Sequence, residues 1–539
     1  TTVTLTPIDD LEAEDLETVT LSVQGNAAYV IGGAGTDSLT ITDNEDIVET
    51  IDSSTPVIFV DGDGDRVTVT LRGAGSGQIT RQGGAIDQIL LTGTTDRSSL
   101  KIAASGTGTS VGNITINGSL NALSARNSDL TGDLTATGFV KRIQLRDVVG
   151  DSRIEIGPGL QNTDAVTLAL GRVTDLSIDS QAAIRSLSAV DWQDTDGSSI
   201  DTIEAPSIAS LRITGHRRSG VDGVFEASMN LTGNTGTQAT LGRAVVAGAI
   251  QGGTWLVQGS AGSIRAGDVA DWQLTVDSTL ASLRAGRVVD TTIDLGGDVR
   301  SLGVVNWAGG SLNVDGTIRS LSVTGNRREA IDGDLSTNIT ATALGSMTVR
   351  GDLDTARVVL LQSVDPDNTR ATALGRATVS GAVRGSWIVS AGHMGSITLG
   401  ALDAGSVIFA GVGQDTDASG RLEYAELMGL PDLDADGTPD LPDDAGDFFD
   451  ALASIRSVKV RGLPGSSTYG FESSNVAAGV LRTAHLGMVD TQNTGAIFGL
   501  STGSFSQLSF TDNQATHRIR NALDLGELSF DQDYVVRLV

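Results

Sequence analysis

Twelve carboxylates and a single basic residue, Arg421, fall between Asp415 and Asp450. Within that run Asp415, Asp417, Ser419, Glu423 and Glu426 put side-chain oxygens at positions 1, 3, 5, 9 and 12 of a twelve-residue segment, with Gly420 at 6 and Leu422 at 8. Hard oxygens at such spacing suit Ca2+, which takes six to eight of them, and a glycine at the sixth position permits the sharp turn that gathers them. A second acidic run, Asp432, Asp434, Asp436, Thr438, Asp440 and Asp443, begins seventeen residues after the first. A third concentrates Asp61, Asp63 and Asp65 on a glycine-rich turn before Val67-Thr68-Val69.

The first segment resembles the EF-hand calcium loop. The resemblance implies Asp415, Asp417, Ser419, the Arg421 carbonyl, Glu423 through a water, and Glu426 as ligands. Because Ser406 to Ala410 reads as strand, only an exiting helix over roughly 422–430 is expected, which favours a static structural site over a sensor that opens a helix pair. The second run resembles the shorter loops of thrombospondin type 3 and dockerin modules, with Asp instead of Glu at its last position. At the N-terminus, Thr2 to Asp10, Glu14, Glu17 to Leu21 and Ser38 to Asp46 resemble the second half of a Calx-beta domain, a calcium-binding β-sandwich. That resemblance implies acidic positions at Asp9, Asp10, Glu14, Asp43 and Asp46, and leaves the missing first half to be supplied by a longer chain or by another subunit. Gly32 to Leu39 fits one copy of a nonapeptide calcium repeat, without the neighbouring turn that would complete a site.

Other constellations are weaker. Gly108-Thr109-Ser110-Val111-Gly112 and Gly499-Leu500-Ser501-Thr502-Gly503 match the nucleophile-elbow pattern, as a chain rich in Gly and Ser does by chance. The four histidines, His216, His393, His485 and His517, are scattered without metal spacing. Arg217-Arg218 and Arg327-Arg328 occupy matching Gly-flanked loops, suited to local salt bridges or to a contact with a subunit or an acidic glycan. Trp192, Trp255, Trp272, Trp307 and Trp387 offer a sugar-stacking face, although Trp307 aligns with Val269 and Val288 and is expected to pack inside.

The elements that hold these groups follow from an internal repeat. Ile264, Leu283, Leu302 and Leu321 are nineteen residues apart, and three further columns keep the same offset: Leu274, Ile293 and Leu312; Val276, Leu295 and Val314; Val269, Val288 and Trp307. Within each repeat apolar residues alternate, as in Leu312-Asn313-Val314, which is strand periodicity, and Gly and Asp then interrupt. Short strands at a fixed coil length stack best as a parallel β-solenoid, or β-helix, with turns about 4.8 Å apart. The expectation is an all-β chain of about 19–23 residues per coil. Further coil starts are read at Ala122-Leu123, Arg142-Ile143, Ser186-Leu187, Gly395-Ser396-Ile397, Ser457-Val458, His485-Leu486, Gln507-Leu508 and Glu527-Leu528. Residues 210–218 recur at 320–328, an offset of 110, while Leu241 to Ala244 recur at Leu374 to Ala377, an offset of 133, so a coil has been gained around Leu344. The divisions are 1–50, a partial sandwich-like segment; 51–412, solenoid; 413–452, the acidic insertion with one or two small helices; and 453–539, final coils and terminal strands. Residues 60 to 410 would form a rod of roughly 80 Å.

Composition narrows the partners. A balance of 36 basic against 66 acidic residues, net −30, repels nucleic acid and anionic membrane surfaces and favours divalent cations. There is no cysteine, and no apolar run long enough to span a bilayer. Together these features resemble bacterial, planctomycete-like surface proteins. The resemblance implies an extracellular, non-enzymatic subunit of a surface layer, stalk, adhesin or filament, which binds Ca2+ and self-assembles, with glycans as a further class of partner. A polysaccharide-acting β-helix enzyme and a phage-type fibre are the alternatives; three lysines and four tyrosines supply little of the former's usual machinery.

Overall fold

The computed structural model describes residues 4, 17–28, 30–31, 35–41, 46–82, 84–197, 200–233, 238–365, 367–368, 370–403, 405–430, 439–463, 469–493, 497–522, 526–531 and 533–539. The chain is all-β, with 59% strand and 2% helix. It divides into two compact units, Thr1–Thr240 and Leu241–Val539.

In the second unit, Ala261–Arg265, Leu280–Arg284, Val299–Val304 and Leu321–Val323 pair successively in parallel, and the Cα partners of Ile264 are Leu283, then Leu302, then Leu321. The other three columns are also lines of register partners. Each strand buries an apolar pair, Ala261 with Ile264, Leu280 with Leu283, Val299 with Leu302 and Leu321 with Val323, and a fully buried Leu, Ile or Val contributes about 1.5–3 kcal/mol. The chain turns at Gly252, Asp271, Asp290 and Gly309, where φ is 66°, 53°, 45° and 70°. This left-handed backbone costs an ordinary L-residue about 1–2 kcal/mol, and Gly and Asp are among the residues that tolerate it. Trp272 follows one of these turns and is fully buried, edge-on to Trp255 at 4.9 Å.

A recurring contact binds successive turns. Gly351, Gly381, Gly286 and Gly316 each sit where an added Cβ would fall 2.0–2.5 Å from a carboxylate oxygen, that of Asp334, Asp352, Asp268 and Asp298 respectively. The same oxygen accepts the backbone N–H of the residue after the glycine, at 2.8 Å in all four: Asp352, Ala382, Arg287 and Thr317. The first unit repeats it, with Asp147 beside Gly171 and bonded to the Arg172 N–H at 2.7 Å. These five aspartates are thus spent on turn-to-turn hydrogen bonds, and the absent Cβ makes room for each carboxylate.

The column continues from Leu321 through Met347, Ala377, Ile397, Val458, Ala484 and Leu508. The expected start at His485-Leu486 is therefore displaced: Ala484, a small residue like Ala377 in the same column, pairs with Val458. The expected coil at Glu527-Leu528 is not one, because Glu527–Phe530 pairs antiparallel with Tyr534–Leu538.

In the first unit, Leu100, Leu123, Ile143, Leu168, Leu187 and Leu211 form one parallel column. Leu168 belongs to a turn that the sequence reading passed over, and a register shift lies beside it at Val166/Thr167. The uniform coil expected from residue 51 onward is corrected at its start. Ile47–Asp52, Ser76–Gln82 and Ala85–Thr94 pair antiparallel, as do Val57–Val60, Arg66–Arg72 and Ser99–Ala104. Glycine turns at Gly64 and Gly84, at φ 86° and 83°, fold Val57–Val60 onto Arg66–Arg72 and Ser76–Gln82 onto Ala85–Thr94 as hairpins. Nearer the N-terminus, Glu17–Ser22 and Thr36–Ile41 form a separate two-stranded antiparallel sheet. Among the described residues no helix is long and apolar enough to cross a membrane.

Candidate cation site

The acidic insertion leaves the sheet after Val407–Ala410 and returns at Ser454–Val460. The ladders on either side are uninterrupted: Val407–Ala410 pairs with Asn475–Met488, and Met394–Asp403 with Ser454–Val460. Arg357–Leu360, Trp387–Ser390 and Val407–Ala410 lie side by side, and Val407–Ala410 is buried on both faces. One face carries Val358, Ile388 and Ile408; the other carries Val359, Val389 and Phe409, which cluster with Leu422, Leu427, Leu430 and Phe448 of the insertion. The insertion is therefore docked on a sheet face by its own apolar side chains.

That docking holds the first acidic loop in place. Gly420 takes φ 80°, and an α-helix follows at Tyr424–Met428, shorter than the 422–430 expected, with a 3-10 turn at Ala445–Asp447. Oxygens of Asp415, Asp417 and Glu426 lie within 4.8 Å of one another. Asp415 accepts from Ser419 N at 2.9 Å and Gly420 N at 2.7 Å, and Asp417 accepts from Ser419 N at 3.0 Å. Glu426 reaches back across the loop, its Oε1 accepting from Thr416 N and its Oε2 from Glu423 N at 3.1 Å. The Gly420 N–H, with that of Ser419, holds the Asp415 carboxyl below its usual range, and the Glu423 and Thr416 N–H groups do the same for Glu426. Three carboxylates lie side by side, a donor set that fits a hard divalent cation.

The remaining expected ligands stand differently. Ser419 Oγ donates to the Arg421 carbonyl at 3.0 Å. Glu423 is paired with the Arg421 guanidinium at 3.1 Å. Of the second run, Asp432, Asp434, Asp436 and Thr438 lie outside the described residues. Asp443 donates its N–H to Asp447 at 3.0 Å, and Asp440 lines a cavity with Asp443, Asp447 and Glu426. Asp9, Asp10, Glu14 and Asp43 also lie outside the described residues; Asp46 is exposed.

Asp61, Asp63 and Asp65 are not drawn into a shared cluster. Asp61 accepts from the N–H groups of Asp63 and Asp65 at 3.2 and 2.9 Å, and Asp65 accepts from Thr107 N at 2.7 Å. They cap a hairpin turn.

A second cluster escaped the sequence reading. Asp175, Asp194 and Asp196 place carboxylate oxygens within 4.8 Å of one another. Asp175 is buried, left-handed at φ 56°, and accepts from Thr195 Oγ1 at 2.8 Å. Nearby, burial together with the Asp194 and Asp175 charges pushes Asp201 up to about 6, and burial with Asp194 and Asp191 raises Glu226. The available signal was the spacing of Asp175 and Asp194, nineteen residues or one turn.

The other candidates resolve into structure. Ser110 and Ser501 lie within the strands Thr109–Gly118 and Phe498–Thr511, without the strand-to-helix turn that exposes a nucleophile. Trp192, Trp255, Trp272 and Trp307 are fully buried, so the sugar-stacking face is withdrawn for all four. Trp387 is half-buried under the Arg357 guanidinium, 4.2 Å from the ring centroid. Comparison with protein-family models, with curated proteins and with solved structures returns no match.

Proposed function

We propose that this chain is a non-enzymatic, extracellular structural protein: a parallel β-solenoid, stabilised by Ca2+ at the loop 415–426, that assembles with copies of itself in a surface layer, stalk, adhesin or filament. The observation that carries the reading is the acidic loop itself, in which Asp415, Asp417 and Glu426 converge on a segment packed against the sheet. A cation there neutralises three adjacent charges and ties the loop to the helix that buries Leu427. The solenoid reading is supported by parallel partners at a constant nineteen-residue offset. A scaffold role is favoured by polar groups that serve turns and ladders, and by the mid-strand burial of Ser501. Electron microscopy of the purified chain with and without EGTA tests it. Filaments or sheets that loosen on chelation are expected; a monodisperse monomer indifferent to chelation overturns the reading.

A further inference from the structure

We propose that a groove in the second unit, beside the hairpin 325–333, binds an acidic saccharide. The groove has a volume of about 740 Å3 and is lined by Asn326, Arg327, Asp332, Asp334, Arg350 and Ser380. That size falls within the range of roughly 300–1,000 Å3 usual for small-ligand sites.

Its charges are held apart. Neither the Arg327 nor the Arg350 guanidinium has a hydrogen-bond or ion-pair partner among the described residues, and neither does the Asp332 carboxylate; Arg350 is held by its backbone N–H, which donates to the Val323 carbonyl at 3.0 Å. At the edge of this groove Arg384 is paired with Asp352, so that carboxylate is taken. The hairpin is rigid enough to keep the separation. Asn326 N donates to the Ile331 carbonyl at 2.7 Å and Ile331 N returns the bond at 3.0 Å. Gly325 and Gly333 take φ 62° and 92° and pack so closely that a Cβ on either would meet backbone at 2.4–2.5 Å. Asp334 is fixed from behind, its Oδ1 taken by the Asp352 N–H.

Two free guanidiniums suit a carboxylate, which arginine grips through a planar pair of N–H donors. The free Asp332 carboxylate and the Asp334 beside it suit hydroxyl donors and repel a run of carboxylates. A ligand with one acidic group among many hydroxyls meets both demands, and an acidic peptide meets only the first. The matching hairpin at 215–223 carries Arg217, but Arg350 belongs to the turn gained around Leu344, so the site is particular to the second copy.

Titration calorimetry of the full chain with a tetrasaccharide of alternating uronic acid and neutral sugar, at low ionic strength, tests this. Saturable binding is expected, weakened about tenfold or more by Arg327→Ala and, independently, by Arg350→Gln, as loss of a charge-assisted contact predicts. Arg217→Ala is expected to leave it unchanged. Both groove arginines are exposed, so folding should survive, and unchanged circular dichroism checks that. The proposal is overturned by absence of binding at millimolar ligand, by equal binding of the Arg327→Ala/Arg350→Gln double variant, by equal binding of a neutral tetrasaccharide, or by tighter binding of hexaglutamate, which would mark an acidic protein segment instead. Assembly with and without chelator is read separately, so either idea can fail alone.

Discussion

Replacing Gly351 by Ala isolates the contact that joins successive turns. The new Cβ would lie 2.0 Å from Asp334 Oδ1, with the nearest backbone atom at 2.8 Å, so the carboxylate must leave. Its departure strips the Asp352 N–H of its 2.8 Å acceptor. A buried donor left unsatisfied costs about 1–3 kcal/mol, and crowding of the neighbouring turn costs about 1–3 kcal/mol more. Native-state hydrogen exchange at the Asp352 amide reads the first quantity directly, and a loss of that size accelerates exchange roughly 5- to 150-fold. Asp334→Ala should produce a similar acceleration by removing the acceptor. The double variant Asp334→Ala/Gly351→Ala should then be less destabilised than the sum of the two, because the clash has lost its main partner. Unchanged exchange in Gly351→Ala, or strict additivity in the double variant, refutes the reasoning.

Three further outcomes are expected. Leu427→Ala should cost about 2–5 kcal/mol and undock the insertion, seen as new limited-proteolysis cuts within 413–452 while the flanking strands persist. Asp201 is raised in the folded state, so the native chain binds its proton more tightly than the unfolded one; its contribution is fully present below about pH 4 and is lost as pH rises through about 6. Urea midpoints of the wild type should therefore fall relative to Asp201→Asn across that window, and a difference independent of pH sinks the assignment. Asp415 and Glu426 are held below their usual range, so Ca2+ binding measured by calorimetry should be flat from pH 8 to about 5 and fall only in stronger acid. Glu426→Gln should weaken it by about tenfold or more.

The second unit was legible in the sequence wherever its turns have equal length. Ile264, Leu283, Leu302 and Leu321 could be read as a column because nothing intervenes to change the offset. Leu168 was missed because its turn follows a 25-residue spacing from Ile143 with a register shift. Ala484 was missed because a small residue gives a weak apolar signal beside Leu486. The run Val407-Ile408-Phe409-Ala410 reads as strand from its sequence, but its burial on both faces depends on the acidic insertion, and nothing local said that the insertion supplies the cover. At the candidate site, the spacing picked out Asp415, Asp417 and Glu426, whose carboxylate oxygens converge. The bonding of Ser419 and Glu423 to Arg421 depends on side-chain directions that spacing does not carry. Asp175 with Asp194 was hidden by its parts, which join only when one turn is laid on the next.

The pairing of a carboxylate with a missing Cβ also works as a key and keyway between neighbouring turns. A slip of one residue would bring a side chain into the slot and misdirect the acceptor, so vertical alignment is policed locally wherever the pair occurs, at Gly171, Gly286, Gly316, Gly351 and Gly381. Loop length is then released from that duty. Val458 can sit beside Ile397 although 61 residues separate them, with the whole acidic segment hung outside the ladder. A scaffold indexed in this way accepts new attachments at its corners without losing count, and the turns after Val407–Ala410 are where a foreign loop should be grafted with least disturbance.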